Sequence, residues 1–353
     1  MNSLLKSFVV VAALLAGCVG VPEGDGRKTE SLSLWRDGAP AKSALLDYVA
    51  AVTKEGSPDY IPPEDRIAVF DFDGTLFCET DPTYFDWMLY DHRVLEDPSY
   101  HATPEQTDVA RTARATGEWP GLNHPKRERL MAEVWRGVTP EAVAAAVRTF
   151  MEEPHPGFTG MKRGEAFYHP MVEVVRFLQA NGFLVYVCSG TERFALRTVV
   201  EDGLTLPPRQ IIGTDYTLFA RAQDDRDGLS FTYGKEDELI LGGTLAVKNL
   251  QMNKVSVIAR EIGVRPVLAF GNSFSDASML NYTLQNNRYK AAGFMLLCDD
   301  VVREYGNVAK AAKLKTACGP NGWIPVSMRD DWTTIYGPDV KRKLAPCKTG
   351  RPK

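Results

Sequence analysis

The stretch Ile67–Phe77, IAVFDFDGTLF, decides how the rest of the chain is read. Its opening run IAVF has no polar alternation, as a strand buried on both faces requires, and it ends abruptly in Asp71 and Asp73 with Gly74 opening a turn. Two carboxylates therefore leave the carboxyl edge of a sheet, where ligands of open α/β sheets bind. Burying Asp71 against so apolar a run is costly without a cation or hydrogen-bond donors, which makes an incidental acidic turn the weaker reading.

Downstream, similar runs alternate with helical patterns. FLVYVCS follows a helix over 170–181, QIIGTDY follows a helix starting beyond Thr191, PVLAFGN follows a helix over 249–262, and GFMLLCDD comes last. This βαβ rhythm of continuously apolar strands implies a parallel sheet between helical layers. The expected fold class is α/β, a doubly wound, mostly parallel sheet with an inserted helical cap.

Between Glu79 and Glu165 no strand of that quality occurs, and Thr103-Pro104-Glu105 and Thr139-Pro140-Glu141 each read as a helix start. Residues 79–164 are expected to form the cap, and 61–78 with 165–335 the core. Tyr216–Gly243 reads as a β-hairpin excursion turning at Asp227-Gly228, and residues 336–353 as a C-terminal tail.

The N-terminus reads as an export signal. Lys6 precedes the apolar run Phe8–Leu15, too short for a membrane span, and Leu15-Ala16-Gly17-Cys18 resembles the bacterial lipoprotein box. That resemblance implies a signal peptide over 1–18, an acylated Cys18 as membrane anchor, and a location on the periplasmic face of the cell envelope. Val19, where Asp is absent, favours the outer membrane. Residues 19–60 read as a tether and N-terminal extension. Outside the cytoplasm a disulfide is permitted. Cys78 and Cys188 read as buried packing residues, so any bridge is expected among Cys298, Cys318 and Cys347; no zinc spacing is present.

Composition sets the outer bounds. A length of 353 residues, 44% apolar content and six cysteines exclude disorder and a disulfide miniprotein, and suggest about two domains. A net charge of −4 supplies no general basic field, so nucleic acid is not expected as a partner.

Other strand ends add chemistry to the same edge. Cys188-Ser189-Gly190 offers a hydroxyl and a free N–H ahead of a helix, a phosphate-binding arrangement that is weak alone. Gly271-Asn272-Ser273-Phe274-Ser275-Asp276 brings an amide and another carboxylate. Lys254 lies on a helix whose apolar face includes Val255, Ile258 and Ile262, where a lone lysine is most often solvated surface.

Together DFDGT, CSG, Lys254 and GNSFSD, in that order and at those element boundaries, resemble the motifs of the haloacid dehalogenase superfamily, in particular its phosphoserine-phosphatase-like group. The resemblance implies a Mg²⁺-dependent phosphomonoester hydrolase acting on a small phosphorylated substrate. Asp71 would be the nucleophile forming an aspartyl-phosphate, and Asp73 the general acid and then base. Asp71, the Asp73 carbonyl and the fourth motif would hold the metal, with Asn272 a ligand and Asp276 either a second ligand or one acting through water. Many relatives carry Asp at the position of Asn272, so a weaker metal site is implied. Ser189, Gly190 and Lys254 would hold the phosphoryl oxygens, with Thr75 bracing the loop in the same phosphate-binding set. Lys248 is the alternative for the lysine role.

Two other classes stay open: a dehalogenase or phosphonate hydrolase on the same fold, and a non-catalytic binding lipoprotein. For the substrate, Glu79, Asp81, Tyr84 and Trp87 stand where the cap begins, among Phe85, Asp86, Tyr90 and Asp91. Phe85, Trp87, Met88 and Leu89 read most simply as cap packing. The sharper reading is that acids and aromatics together select a cationic leaving group such as an amino alcohol or choline.

Overall fold

Strand β1 (Ile67–Phe70) is wholly buried, and its side chains alternate between two hydrophobic clusters: Ile67 and Val69 enter one, Ala68 and Phe70 the other. A strand with a core on each side cannot carry polar alternation, which explains its sequence. The computed structural model describes residues 32–79, 83–116 and 124–343.

Helix α1 (Pro40–Thr53) precedes β1, and four helices follow it: α2 (Phe85–Leu95), α3 (Pro104–Thr116), α4 (His124–Glu133) and α5 (Pro140–Met151). These fill the inserted segment. After the short β2 (Phe158–Thr159) come α6 (His169–Ala180), β3 (Leu184–Glu192), α7 (Arg193–Leu204), β4 (Ile211–Ala220) and β5 (Leu239–Val247). The chain then forms α8 (Met252–Val257), β6 (Leu268–Gly271), α9 (Ala277–Leu284), β7 (Ala292–Leu297), α10 (Val308–Asn321), β8 (Ile324–Ser327) and β9 (Lys341–Arg342).

The seven-stranded sheet has the order β5-β4-β3-β1-β6-β7-β8, parallel throughout except for β5. From β1 the chain builds outward on one side and then returns to build on the other, so a topological switch point opens at the carboxyl end of β1. Phe70, Phe270 and Phe294 are in register on three adjacent strands and stack at 4.4 and 4.9 Å between ring centroids.

The insertion is bonded to the sheet. Gly137 donates its N–H to Leu241 O at 2.7 Å, and Leu241 returns one to Val138 O at 2.9 Å, so the α4–α5 junction pairs with the edge strand β5. Buried Glu128 on α4 meets Lys248, just beyond β5, at 3.0 Å.

Several sequence expectations change. QIIGTDY and the first arm of the hairpin are one continuous strand, β4, and residues 221–238 form a long connection to β5. Asp227-Gly228 is not the hairpin turn: Asp227 accepts the Leu229 N–H and caps a single 3₁₀ turn within that connection. The helix expected from Asn249 starts at Met252 and becomes a π-helix over Ile258–Ile262. Strand β3 runs on through Ser189 and Gly190 to Glu192, whose side chain caps α7 by accepting the Ala195 N–H, so the helix expected beyond Thr191 begins at Arg193. The region taken as extension joins the fold from Leu32: Trp35, Leu45 and Val52 are buried, and Trp35 meets Trp332 edge-on. At the other end Tyr336 is buried and β9 pairs with β2.

Cys78, Cys188, Cys298 and Cys318 are buried and form no disulfide, so the bridge expected among the C-terminal cysteines is not made between Cys298 and Cys318. Cys347, Cys18 with its signal peptide, and Asp81 lie outside the described residues. Among the described residues no helix is long and apolar enough to cross a membrane.

Candidate active site

Asp71 follows β1 directly, its N–H still held by Phe270 O at 2.9 Å, and the chain then curls so that the amides of Leu76 and Phe77 both donate to Phe72 O. Gly74 makes the curl at φ +78°, and a Cβ there would lie 1.9 Å from Asn272 Nδ2. Glycine is required both by the left-handed backbone and by the approach of Asn272.

A cavity of about 480 Å³ opens above this edge. Asp71, Asp73, Ser189, Gly190, Thr191 and Asn272 line it from the sheet, Tyr84, Asp86, Trp87 and Arg127 from the inserted helices, and Lys248 and Lys310 from the side. Thr75, Lys254 and Asp276 lie behind the wall, each buried.

Lys254 is fully buried, not solvated. Its Nζ lies 2.6 Å from both Asp71 Oδ1 and Asp276 Oδ1. The other Asp276 oxygen accepts from the Asn272 and Ser273 amides and from Ser273 Oγ, so both of its oxygens are engaged within the protein. Asp276 thus fixes the loop that presents Asn272. Burial alone would lower the Lys254 pKa, but Asp276 and Asp71 outweigh it and hold the ammonium charged.

The two motif aspartates differ in surroundings. Burial, followed by the charge of Asp276, pushes the Asp71 carboxyl up to about 7 against the pull of Lys254. Asp73 is raised well above the usual carboxylate range, first by burial and then by Asp86, while the Thr191 hydroxyl, which donates to its Oδ2 at 2.6 Å, opposes the rise. Among the described residues, buried Asp73 Oδ1 and Asn272 Nδ2 have no hydrogen-bond partner. Unmatched buried polar atoms beside a cavity call for a ligand. The Asp71 carboxylate, the Asp73 carbonyl and an Asn272 amide turned to present its oxygen form an all-oxygen donor set, which fits Mg²⁺.

The residues expected to select substrate are largely committed to one another. Glu79 is buried and accepts Lys310 Nζ at 3.0 and 2.9 Å and the Tyr84 hydroxyl at 3.2 Å. Trp87 meets Tyr84 edge-on, and the Arg127 guanidinium stands 5.1 Å from the Trp87 ring centroid. Phe85 packs inward against Phe72 and Phe77. Lys248 donates to Gly190 O at 3.0 Å and pairs with Glu128, so the alternative lysine faces the cavity while Lys254 holds the aspartates. Thr191, Arg127 and Lys310 were not singled out from the sequence. Lys310 shares α10 with Lys313 and Lys315, and only tertiary placement separates it from them.

The model of the haloacid dehalogenase-like hydrolases matches residues 68–281, more than half the chain and spanning all four motifs. The chain belongs to the haloacid dehalogenase-like hydrolases. Among solved structures, a protein of unknown function from Bordetella pertussis Tohama I is 16% identical, with 74% of this chain and 97% of that one covered and a TM-score of 0.48. One from Anaerococcus prevotii DSM 20548 is 13% identical, with 79% and 90% covered and a TM-score of 0.48. A phosphoserine phosphohydrolase-like protein from Francisella tularensis subsp. tularensis SCHU S4 is 15% identical, with 66% and 87% covered and a TM-score of 0.36. No curated protein matches the chain. In this haloacid dehalogenase-like hydrolase the site offers a carboxylate beside a buried cation, a second carboxyl biased toward its protonated form, and a cavity roofed by the inserted helices.

Proposed function

We propose that this hydrolase cleaves phosphomonoesters through an aspartyl-phosphate on Asp71, with Asp73 as general acid and base. The observation that carries the reading is the pair itself: Asp71 held by Lys254, and Asp73 held by Thr191 in an environment that keeps its proton, both on the wall of one cavity. Asp71 attacks phosphorus, and the departing alkoxide takes its proton from Asp73. The Asp73 carboxylate then removes a proton from the water that attacks the aspartyl-phosphate, releasing phosphate and restoring both groups. A halide leaves without a proton, so a protonated Asp73 favours ester hydrolysis over dehalogenation. Ser189 and Gly190 stand on the same wall to receive phosphoryl oxygens. Mg²⁺, held by Asp71, the Asp73 carbonyl and Asn272, would offset the repulsion between carboxylate and phosphate.

Phosphate release from p-nitrophenyl phosphate, with magnesium and after exhaustive chelation, tests this reading. Asp71→Asn should abolish turnover and any acid-stable phosphoenzyme. Asp73→Asn should lose roughly 10²- to 10⁴-fold, with a smaller loss for nitrophenyl than for alkyl esters because nitrophenolate needs no proton to leave. Full activity of Asp71→Asn, or undiminished turnover after chelation, sinks the assignment.

A further inference from the structure

We infer that the leaving-group side of the cavity is built for an uncharged alcohol with an apolar face, because Glu79 and the Trp87 indole on its wall are already matched with cations of the chain itself. This rests on the phosphomonoesterase reading and narrows its substrate class. It also replaces the expectation, drawn from acids and aromatics close in sequence, that the wall selects a cationic leaving group.

Both Glu79 oxygens lie within 3.0 Å of Lys310 Nζ. Glu79 is almost wholly buried, so a substrate cation could use it only by displacing Lys310 and stranding that ammonium in a partly dehydrated place. The Trp87 ring, the best cation–π acceptor on the wall, already has Arg127 5.1 Å from its centroid. Asp86 feels Lys248 and Arg127 without an ion pair to either, and both of those cations are bound to Glu128 behind the wall, at 3.0 and 3.3 Å. Counting Glu128 behind the wall, the described acids Glu79, Asp86 and Glu128 balance the cations Lys310, Lys248 and Arg127 in charge. A second anionic group on the substrate meets the same obstacle in reverse, since each cation is engaged. Leu250 and Phe274, the latter half exposed, add an apolar face to the same cavity. Burial against them rewards hydrocarbon or ring surface and is indifferent to charge.

An isosteric pair isolates the charge. Phosphocholine and 3,3-dimethylbutyl phosphate differ only in nitrogen against carbon at the branched centre. With p-nitrophenyl phosphate as the activity reference and magnesium present, the wild-type chain should show kcat/KM at least tenfold higher for the dimethylbutyl ester. Arg127→Leu, which uncovers Trp87, and Lys310→Met, which frees Glu79, should each move the ratio toward phosphocholine, and together by about tenfold or more. Equal use of the two esters by the wild type, or a preference for phosphocholine, overturns the inference while leaving the hydrolase reading intact. No release from any of the three esters overturns both.

Discussion

Replacing Lys254 by Met removes one ammonium and nothing of comparable volume. The ammonium lies 2.6 Å from two carboxylates and has no exposed surface, so Asp71 and Asp276 would face each other in the interior with their shared counter-charge gone. Removing one partner of a buried charge cluster costs roughly 3–5 kcal/mol. With an m-value of about 3 kcal/mol/M for urea, the unfolding midpoint should fall by about 1 to 1.7 M. Tryptophan fluorescence during urea titration in magnesium-free buffer reads this directly. Phosphate release by the still-folded variant should fall by about 10²-fold or more, because the cation beside the attacking carboxylate is lost. A midpoint within about 0.3 M of wild type would refute the reasoning, since Lys254 would then be contributing no more than a surface pair does.

Asp91 on α2 is buried with its Oδ1 unpartnered, and burial pushes its carboxyl up to about 7 against the opposing charge of Arg114. The folded state therefore binds this proton more tightly than the unfolded chain, and stability falls as pH rises from about 4 to about 7. Asp91→Asn should be about 2–4 kcal/mol more stable than wild type at pH 8 and equal to it near pH 4, as read in paired thermal melts. A pH-independent difference would show that Asp91 is not the source. The reading of the N-terminus as an export signal, which we propose, makes a separate prediction: Cys18→Ser should abolish lipid labelling and detergent partitioning, and equal labelling of the mutant would end the anchor reading.

The strands legible in the sequence were those with cores on both faces, because IAVF, LVYVC and FMLL need no tertiary information to be recognised. Within the seven-stranded sheet the strand that escaped notice, β8, is short, holds Pro325, and lies at the sheet edge, where a missing N–H is tolerated. The motif residues at the strand ends could be read for the same reason, since a carboxylate after a buried strand has few places to go. Their partners could not. From its own stretch of sequence Lys254 looked like surface, and only the family resemblance brought it to the site, because its two acceptors come from other elements, Asp71 after β1 and Asp276 in the loop beyond β6. The partners of the cap wall were hidden for the same reason. Acids and aromatics close in sequence were visible, but Lys310 reaches Glu79 across 231 positions, and no local pattern encodes that pairing.

The strand that leads into Asp71 has consequences for the order in which the chain acquires its shape. Strand β1 finds its neighbours at residues 184–187 and 268–270, Trp35 waits for Trp332, and β2 has no partner until Lys341 and Arg342 exist. Until those segments have been synthesised, the first third of the polypeptide has no sheet to join. Contacts of such long sequence separation slow folding, because loop closure must precede the gain from pairing. A nascent or truncated chain would therefore remain open and depend on other factors to keep its apolar runs apart. The same connectivity means that a cut near either end removes a clasp from the finished molecule, so truncation at residue 335 should cost far more stability than the loss of an exposed tail.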